Sequence, residues 1–474
     1  MPPRYGRGFT DAVPPREAVG TFAPCAGETK RNGVARPRSG GCHTCCAIIR
    51  FVGWVGAREG ATRVGRLADR WRERTGGEAG ALYRSGLGLL LDRRDTEAEP
   101  LLREAVRLTV ERDGPTAHTT FVCRLDLGSA LSKLGRHEEA EALIRESLAY
   151  AKTAQPSGDE EMRARAYLVH ALVVAGRPKP AEAESRTVIG LPVGHPSPWW
   201  YVANWHLRAR TLASLGRPGE ALEIAERMIA YAVRRPTVRY WERGARILRA
   251  EQLGYLGRHS DAERECRAAL GSLDGADERT ATQTSVEVGH VLVPALLALG
   301  RRIEAEACAR STVDRAASHT ATWRELAVAH ANLAVCLNAD ARHDEALAQI
   351  TAARAVFART GPADRDGSTA LIANAAAGVL IGLGRYADAQ AESDAALSLG
   401  ARELGPFHHR TLEAGTALGT ALAREPRRHA EARDRLRMAE AAWRTHFGPE
   451  HPRTAATRNV LAELRDIPPQ SDPD

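Results

Sequence analysis

Aromatic residues make up only 5% of this 474-residue chain, and just four residues (Lys30, Lys133, Lys152 and Lys179) are lysines. So few aromatics, with no β-branched runs, argue against a sheet protein, since strands draw on those residue types. The longest apolar stretch, Ala47–Ala57, is too short to cross a bilayer and contains Arg50. The first twenty residues have no apolar core, so no secretory signal is read. The phosphate-cradling pattern GxxxxGK[ST] is missing, as are a Ser/His/Asp set at motif spacing and a metalloprotease helix. The expectation is a cytoplasmic, non-enzymatic chain without cofactor or metal.

The basic residues are almost all Arg, which with abundant Ala and Gly is the codon signature of a GC-rich, actinobacterial-like genome. The net charge of +7 is concentrated at one end. Residues 1–60 carry +5 and residues 61–75 carry +3, leaving the rest at about −1. A nucleic-acid footprint needs a basic face on the folded part, so the balance speaks against a general nucleic-acid binder. Eight cysteines stand at 25, 42, 45, 46, 123, 266, 308 and 336. The last four fall singly inside helical patterns, where Cys serves as a small buried hydrophobe. Cys42, Cys45 and Cys46 give half a zinc-ligand spacing with no second half, and are read as chance.

What the chain has in abundance is one phrase. LGRHEEAEALIRESL (Leu134–Leu148) returns as LGRPGEALEIAERMI (Leu215–Ile229), LGRHSDAERECRAAL (Leu256–Leu270) and LGRYADAQAESDAAL (Leu383–Leu397). The turn glycines are Gly135, Gly176, Gly216, Gly257, Gly300 and Gly384, each followed five residues later by Ala. The same offset identifies three units that have lost the glycine: Arg93 with Ala98, Ala341 with Ala346, and Arg427 with Ala432. The nine markers stand 42, 41, 40, 41, 43, 41, 43 and 43 residues apart, the period of stacked helical hairpins. Four residues before most markers stands Leu (for example Leu131, Leu172, Leu212 and Leu253), on the inner stripe of a first helix. Glycine ends that helix in the left-handed conformation. Acidic residues open the second helix, and the alanine permits a close crossing.

On these residues the chain resembles tetratricopeptide repeats, in the longer 42-residue form of kinesin light chains and many bacterial signalling proteins. The small residues seven before the marker (Gly86, Gly128, Ala209, Ala250, Ala334 and Ala377) fit that pattern, as does Trp205. So do the linkers DGPTAHT (Asp113–Thr119), LGPFHHRTL (Leu404–Leu412) and FGPEHPRTAATRNVLA (Phe447–Ala462), where Gly–Pro ends one hairpin and His or Thr caps the next helix. The resemblance implies an all-α, right-handed α-solenoid of about nine stacked hairpins over residues 80–465, closed by a capping helix at Thr454–Arg465. Residues 1–57 are expected to be a disordered Pro/Gly/Arg-rich arm, or to lie upstream of the natural start. Residues 58–79 would lead in as a basic helix, and 466–474 would form a disordered tail. The turn REPRRHAEA (Arg424–Ala432) is distorted, so the last hairpin is expected to pack loosely.

The family geometry also implies a groove lined by the first helices. Carried onto this sequence, its groove-facing positions select Arg163, His170, His206, Arg210, Glu251, Tyr255, Glu287, His290 and Asn374. Asn332 falls where kinesin-type repeats place a backbone-clasping asparagine. Six of the seventeen Trp and Tyr residues fall in Ser197–Arg210 and Val238–Glu251. Trp205 is therefore either a groove residue or, with Trp241, a filler between repeats. The implied function is a non-catalytic scaffold or sensor for a protein segment or peptide. The alternative is a peptide-responsive regulator whose basic Arg58–Arg74 segment meets DNA, although that segment is short for a helix-turn-helix.

Overall fold

The computed structural model describes residues 77–91, 94–154, 159–189, 198–238, 241–273, 275–318, 323–358 and 368–465. The expectations for residues 1–76, including the zinc-like cysteines and the DNA-facing segment, and for 466–474, lie outside the described residues.

Among the described residues there are nineteen α-helices, two 3-10 turns and no strand. They form nine hairpins and a cap. The first four hairpins are α1 (Glu78–Leu91) with α2 (Asp95–Asp113), α3 (His118–Lys133) with α4 (His137–Ala154), α5 (Asp159–Val174) with α6 (Pro178–Ile189), and α7 (Pro198–Ser214) with α8 (Pro218–Val233). The fifth and sixth pair α9 (Trp241–Tyr255) with α10 (His259–Gly271) and α11 (Glu278–Ala298) with α12 (Arg302–Ser318). The seventh and eighth pair α13 (Trp323–Ala339) with α14 (His343–Phe357) and α15 (Ser368–Gly382) with α16 (Tyr386–Glu403). The ninth pairs α17 (His409–Leu422) with α18 (His429–Phe447), and α19 (Pro452–Arg465) closes the array.

The repeated phrase explains each hairpin. After the first helix, the backbone N–H of the Arg following the marker donates to the carbonyl of the Leu four before it. Examples are Arg136 to Leu131 at 2.9 Å and Arg258 to Leu253 at 2.8 Å. This six-to-one bond needs a left-handed residue at the marker, and Gly135, Gly176, Gly216, Gly257, Gly300 and Gly384 all take φ between 69° and 79°. All nine alanines five residues on (Ala98 to Ala432) are 0% exposed. The turn arginine has a further role. Arg136, Arg301 and Arg342 each pair with an acid three residues ahead (Glu139, Glu304 and Glu345) and with one on the preceding second helix (Glu99, Glu263 and Glu306). An ion ladder thus tracks the outer surface, where solvent and salt screen each rung.

Consecutive first helices pack on one another throughout, as α5 on α7 and α13 on α15, in addition to the contacts within hairpins. The first helices therefore lie on the inside of the curve, and they carry the candidate residues. Leu418, Leu422, Ala432 and Leu436 of the ninth hairpin cluster with Leu461 and Leu464 of α19, so that hairpin has a packed core. Its turn holds one residue more than the others, taken up by a 3-10 turn at Pro426–Arg428. The small residue of its first helix is consequently Gly419, where an added Cβ would stand 2.7 Å from Leu436 Cγ.

Candidate functional site

The centre of the inner face is built from four first helices: His170 on α5, His206 and Arg210 on α7, Gln283, Glu287 and His290 on α11, and Arg324 and Glu325 on α13. Gln283 Nε2 donates to Glu287 Oε1 at 2.7 Å and to Glu325 Oε1 at 3.1 Å. Arg210 is exposed, and its charge is felt by His170, His206 and Glu287, which lie on three different helices. The array therefore curves tightly enough to bring the third and fourth hairpins near the sixth and seventh.

Burial sets the protonation of this centre. It pushes His170 and His206 down to about 3, helped by Arg210 in both cases. His290 falls to about 4 for the same first reason, with Glu325 opposing. Burial and then the Glu325 charge raise Glu287 well above the ordinary carboxylate range, although Gln283, Arg210 and Arg324 pull the other way. Three neutral imidazoles and a carboxyl that resists ionisation thus share this face with two guanidinium groups. Such a set can donate to and accept from a peptide backbone while holding an acidic group. Nδ1 of His206 and both ring nitrogens of His290 are buried without a hydrogen-bond partner among the described residues. A stranded buried polar group costs about 1–3 kcal/mol.

The other candidates lie apart from this centre. Glu251 Oε1 accepts from the Tyr255 hydroxyl at 2.9 Å, and the Tyr255 ring stacks on His409 of α17 at 3.9 Å. The expected open groove is thus covered at this point by a later repeat. Arg163 is half-buried, its guanidinium 5.9 Å from the Tyr167 ring centroid and 5.6 Å from that of Trp200. Beneath it, the buried Asp126 carboxylate accepts from Tyr83 and from Tyr167, each at 2.5 Å. Trp205 lies 4.6 Å from Tyr201 and 5.5 Å from Tyr231 of α8. It therefore packs between the helices of its own hairpin. Trp241, 1% exposed, packs 5.8 Å from Trp199 and does the same between repeats.

The two candidate asparagines make contacts within the array. Asn332 Nδ2 donates to the His290 carbonyl at 3.5 Å, and Asn374 Nδ2 to the Arg410 carbonyl at 2.9 Å. Both hold the main chain of a neighbouring first helix of this array. Asn374 Oδ1 remains buried and without a partner. Sequence reasoning missed Gln283, Arg324 and Glu325. Gln283 and Glu325 are 42 residues apart, one repeat; aligning the polar residues of the first helices in register exposes that pairing.

Residues 77–153 match the family model described as tetratricopeptide repeat. No curated protein matches the chain's sequence. Among solved structures, the chain is similar to a Rap protein complexed with competence and sporulation factor, at 12% identity over 73% of this chain and 99% of that one, with a TM-score of 0.46. It is similar to NprR in complex with its cognate peptide NprX, at 13% identity over 73% and 97% of the two chains, with a TM-score of 0.47. A repeat protein described as a putative kinesin light chain of Podosopora anserina matches at 18% identity over 41% and 93%, with a TM-score of 0.35. At these scores the likenesses carry no argument about what this chain binds.

Proposed function

Because the chain is a tetratricopeptide-repeat protein, we propose that it binds a protein segment or peptide along the inner face of its array, as a non-catalytic scaffold or sensor. The observation that supports this reading is the convergence of His170, His206, Arg210, Glu287 and His290 on one stretch of the inner face, with buried nitrogens of His206 and His290 left unpartnered. Those groups are costly unless something supplies hydrogen bonds to them. An extended peptide offers its backbone to the accessible polar groups of this face, and Arg210, which is exposed, is placed to take an acidic group from it.

The test is selection from a random peptide library displayed against the full chain, followed by affinity measurement of the enriched peptides. Arg210→Ala should weaken them roughly 10- to 100-fold, the worth of one charged hydrogen bond. The melting temperature should hardly move, since Arg210 is exposed. Enriched peptides that bind Arg210→Ala and Glu287→Ala as tightly as the parent would place the site elsewhere.

A further inference from the structure

A hydrogen bond joins His451, at the start of α19, to the backbone of the fifth hairpin 196 residues earlier. His451 Nε2 lies 3.0 Å from the Tyr255 carbonyl, while His451 Nδ1 accepts from the Arg453 N–H at 3.2 Å. Because Nδ1 accepts, the ring proton sits on Nε2 and points at the carbonyl. One repeat back, His408 does the same at the start of α17. Its Nδ1 accepts from the Arg410 N–H at 3.3 Å, and its ring is hydrogen-bonded to the backbone of Ala213 in the fourth hairpin. Each histidine caps its own helix with one nitrogen and grips a distant turn with the other.

Two further observations mark these contacts as built. The first is in the turn glycines. A Cβ added to Gly216 would stand 3.3 Å from His408 Cα and from the Phe407 carbonyl oxygen; one on Gly257 would stand 2.6 Å from Pro452 Cδ. At Gly176 and Gly300, in the same turn conformation, nothing lies within 4 Å. The second is in the linkers. Gly114, Gly405 and Gly448 open three copies of one arch, each closed by a threonine hydroxyl six residues on (Thr120, Thr411 and Thr454). In the two arches that rest on a distant turn the capping residue is histidine. In the copy between the first and second hairpins it is Ala117.

We propose that the ninth hairpin and α19 form a clasp, which folds back five repeats onto the turns of the fourth and fifth hairpins and governs access to the inner face at Glu251 and Tyr255. The clasp is held by two histidine grips, by the stack of His409 on Tyr255, and by close backbone contact at two glycines. This goes beyond the peptide reading, because it concerns opening of the array itself and its test needs no ligand.

The probe is tetranitromethane, which nitrates accessible tyrosines, read by peptide mass spectrometry on the full chain near pH 8. In the double variant His408→Asn/His451→Asn each asparagine still caps its helix but is too short to reach the distant carbonyl. Tyr255 nitration should rise at least roughly fivefold, a modest shift of a two-state closure. Circular dichroism should be unchanged, and Tyr83 and Tyr167 should stay protected within the first three hairpins. Gly257→Asn tests the same contact differently. Asparagine tolerates the left-handed turn, yet its Cβ wedges against Pro452. Gly176→Asn, in the same conformation with open space around it, should leave Tyr255 protected. The proposal is overturned if Tyr255 stays as slow as in the parent in the double variant and in Gly257→Asn. It is equally overturned if Gly176→Asn, or the exposure of Tyr83 and Tyr167, accompanies the effect.

Discussion

Ala341 shows most plainly what the repeated glycine is for. It stands at a marker whose glycine has been lost, and among the described residues it is the non-glycine residue with positive φ, at 59°. The turn bond survives, with the Arg342 N–H donating to the Leu337 carbonyl at 2.9 Å. Neighbouring repeats hold the turn in shape although an L-residue there is strained by about 1–2 kcal/mol. Replacing it with glycine removes that strain but adds freedom to the unfolded chain, worth about 0.4–1 kcal/mol. Ala341→Gly should therefore stabilise the seventh hairpin by about 0.5–1 kcal/mol, seen as a higher urea midpoint and slower amide exchange in α13 and α14. An unchanged or lower midpoint would mean that Ala341 does not adopt this conformation in solution. Positions of this kind were legible in the sequence because the marker and the alanine five residues later are local and periodic; Ala346 identified the unit even where the glycine was gone.

At the scale of elements, the second helices repeat and the first helices differ. The second helices carry the alanines, which the sequence spells out in every copy, and an ion ladder that recurs in several of them. The first helices carry buried polar links that depend on which repeat is next to which. Asp126 on α3 is the clearest of these, joining Tyr83 on α1 to Tyr167 on α5 with itself only 2% exposed. Burial, followed by the Asp126 charge, raises both tyrosines well above their ordinary value, so both hydroxyls stay protonated donors across the physiological range. Asp126→Ala removes the shared acceptor of two buried hydroxyls and should cost about 2–5 kcal/mol. Because repeat arrays couple mainly to nearest neighbours, exchange protection should fall in α1, α3 and α5 and hold in α13 to α17. Uniform loss along the array would refute that local reading. Nothing in the sequence marks Asp126 as different from an exposed acid. Its burial follows from the stacking of three first helices, and for the same reason Trp205 and the asparagines could be assigned to the inner stripe but not to their partners.

At the scale of the molecule, the five-repeat return is the least legible feature. His408 and His451 read as helix caps, which they are, but their second contact spans too many residues for any local pattern to carry. The return makes the closed state answer to pH. Burial pushes His408 down to about 3 and His409 well below the ordinary imidazole range, the latter with further pressure from His408 and Arg410. His451 is lowered too, by burial first and despite its bond to the Tyr255 carbonyl. The charged and titratable groups around them are Glu251 and Tyr255 on α9, His259 on α10, Arg410 and Glu413 on α17, His446 on α18 and Arg453 on α19. Arg453 pairs with Glu413 at 2.9 Å, and His446 stacks on Phe407 at 4.1 Å. A histidine whose value is depressed when closed favours closure above its free value near 6.5 and loses that contribution as pH falls below it. At pH 5 His408, held at about 3 when closed, favours release by roughly 30-fold, and His409 and His451 act in the same direction. The radius of gyration measured by small-angle scattering should accordingly be constant from pH 8 to 7 and rise between pH 6.5 and 5, with helicity retained. His408→Asn/His451→Asn should be expanded already at pH 7.5 and change little further. A parent chain that keeps its dimensions down to pH 5 would show that these histidines do not hold the array closed.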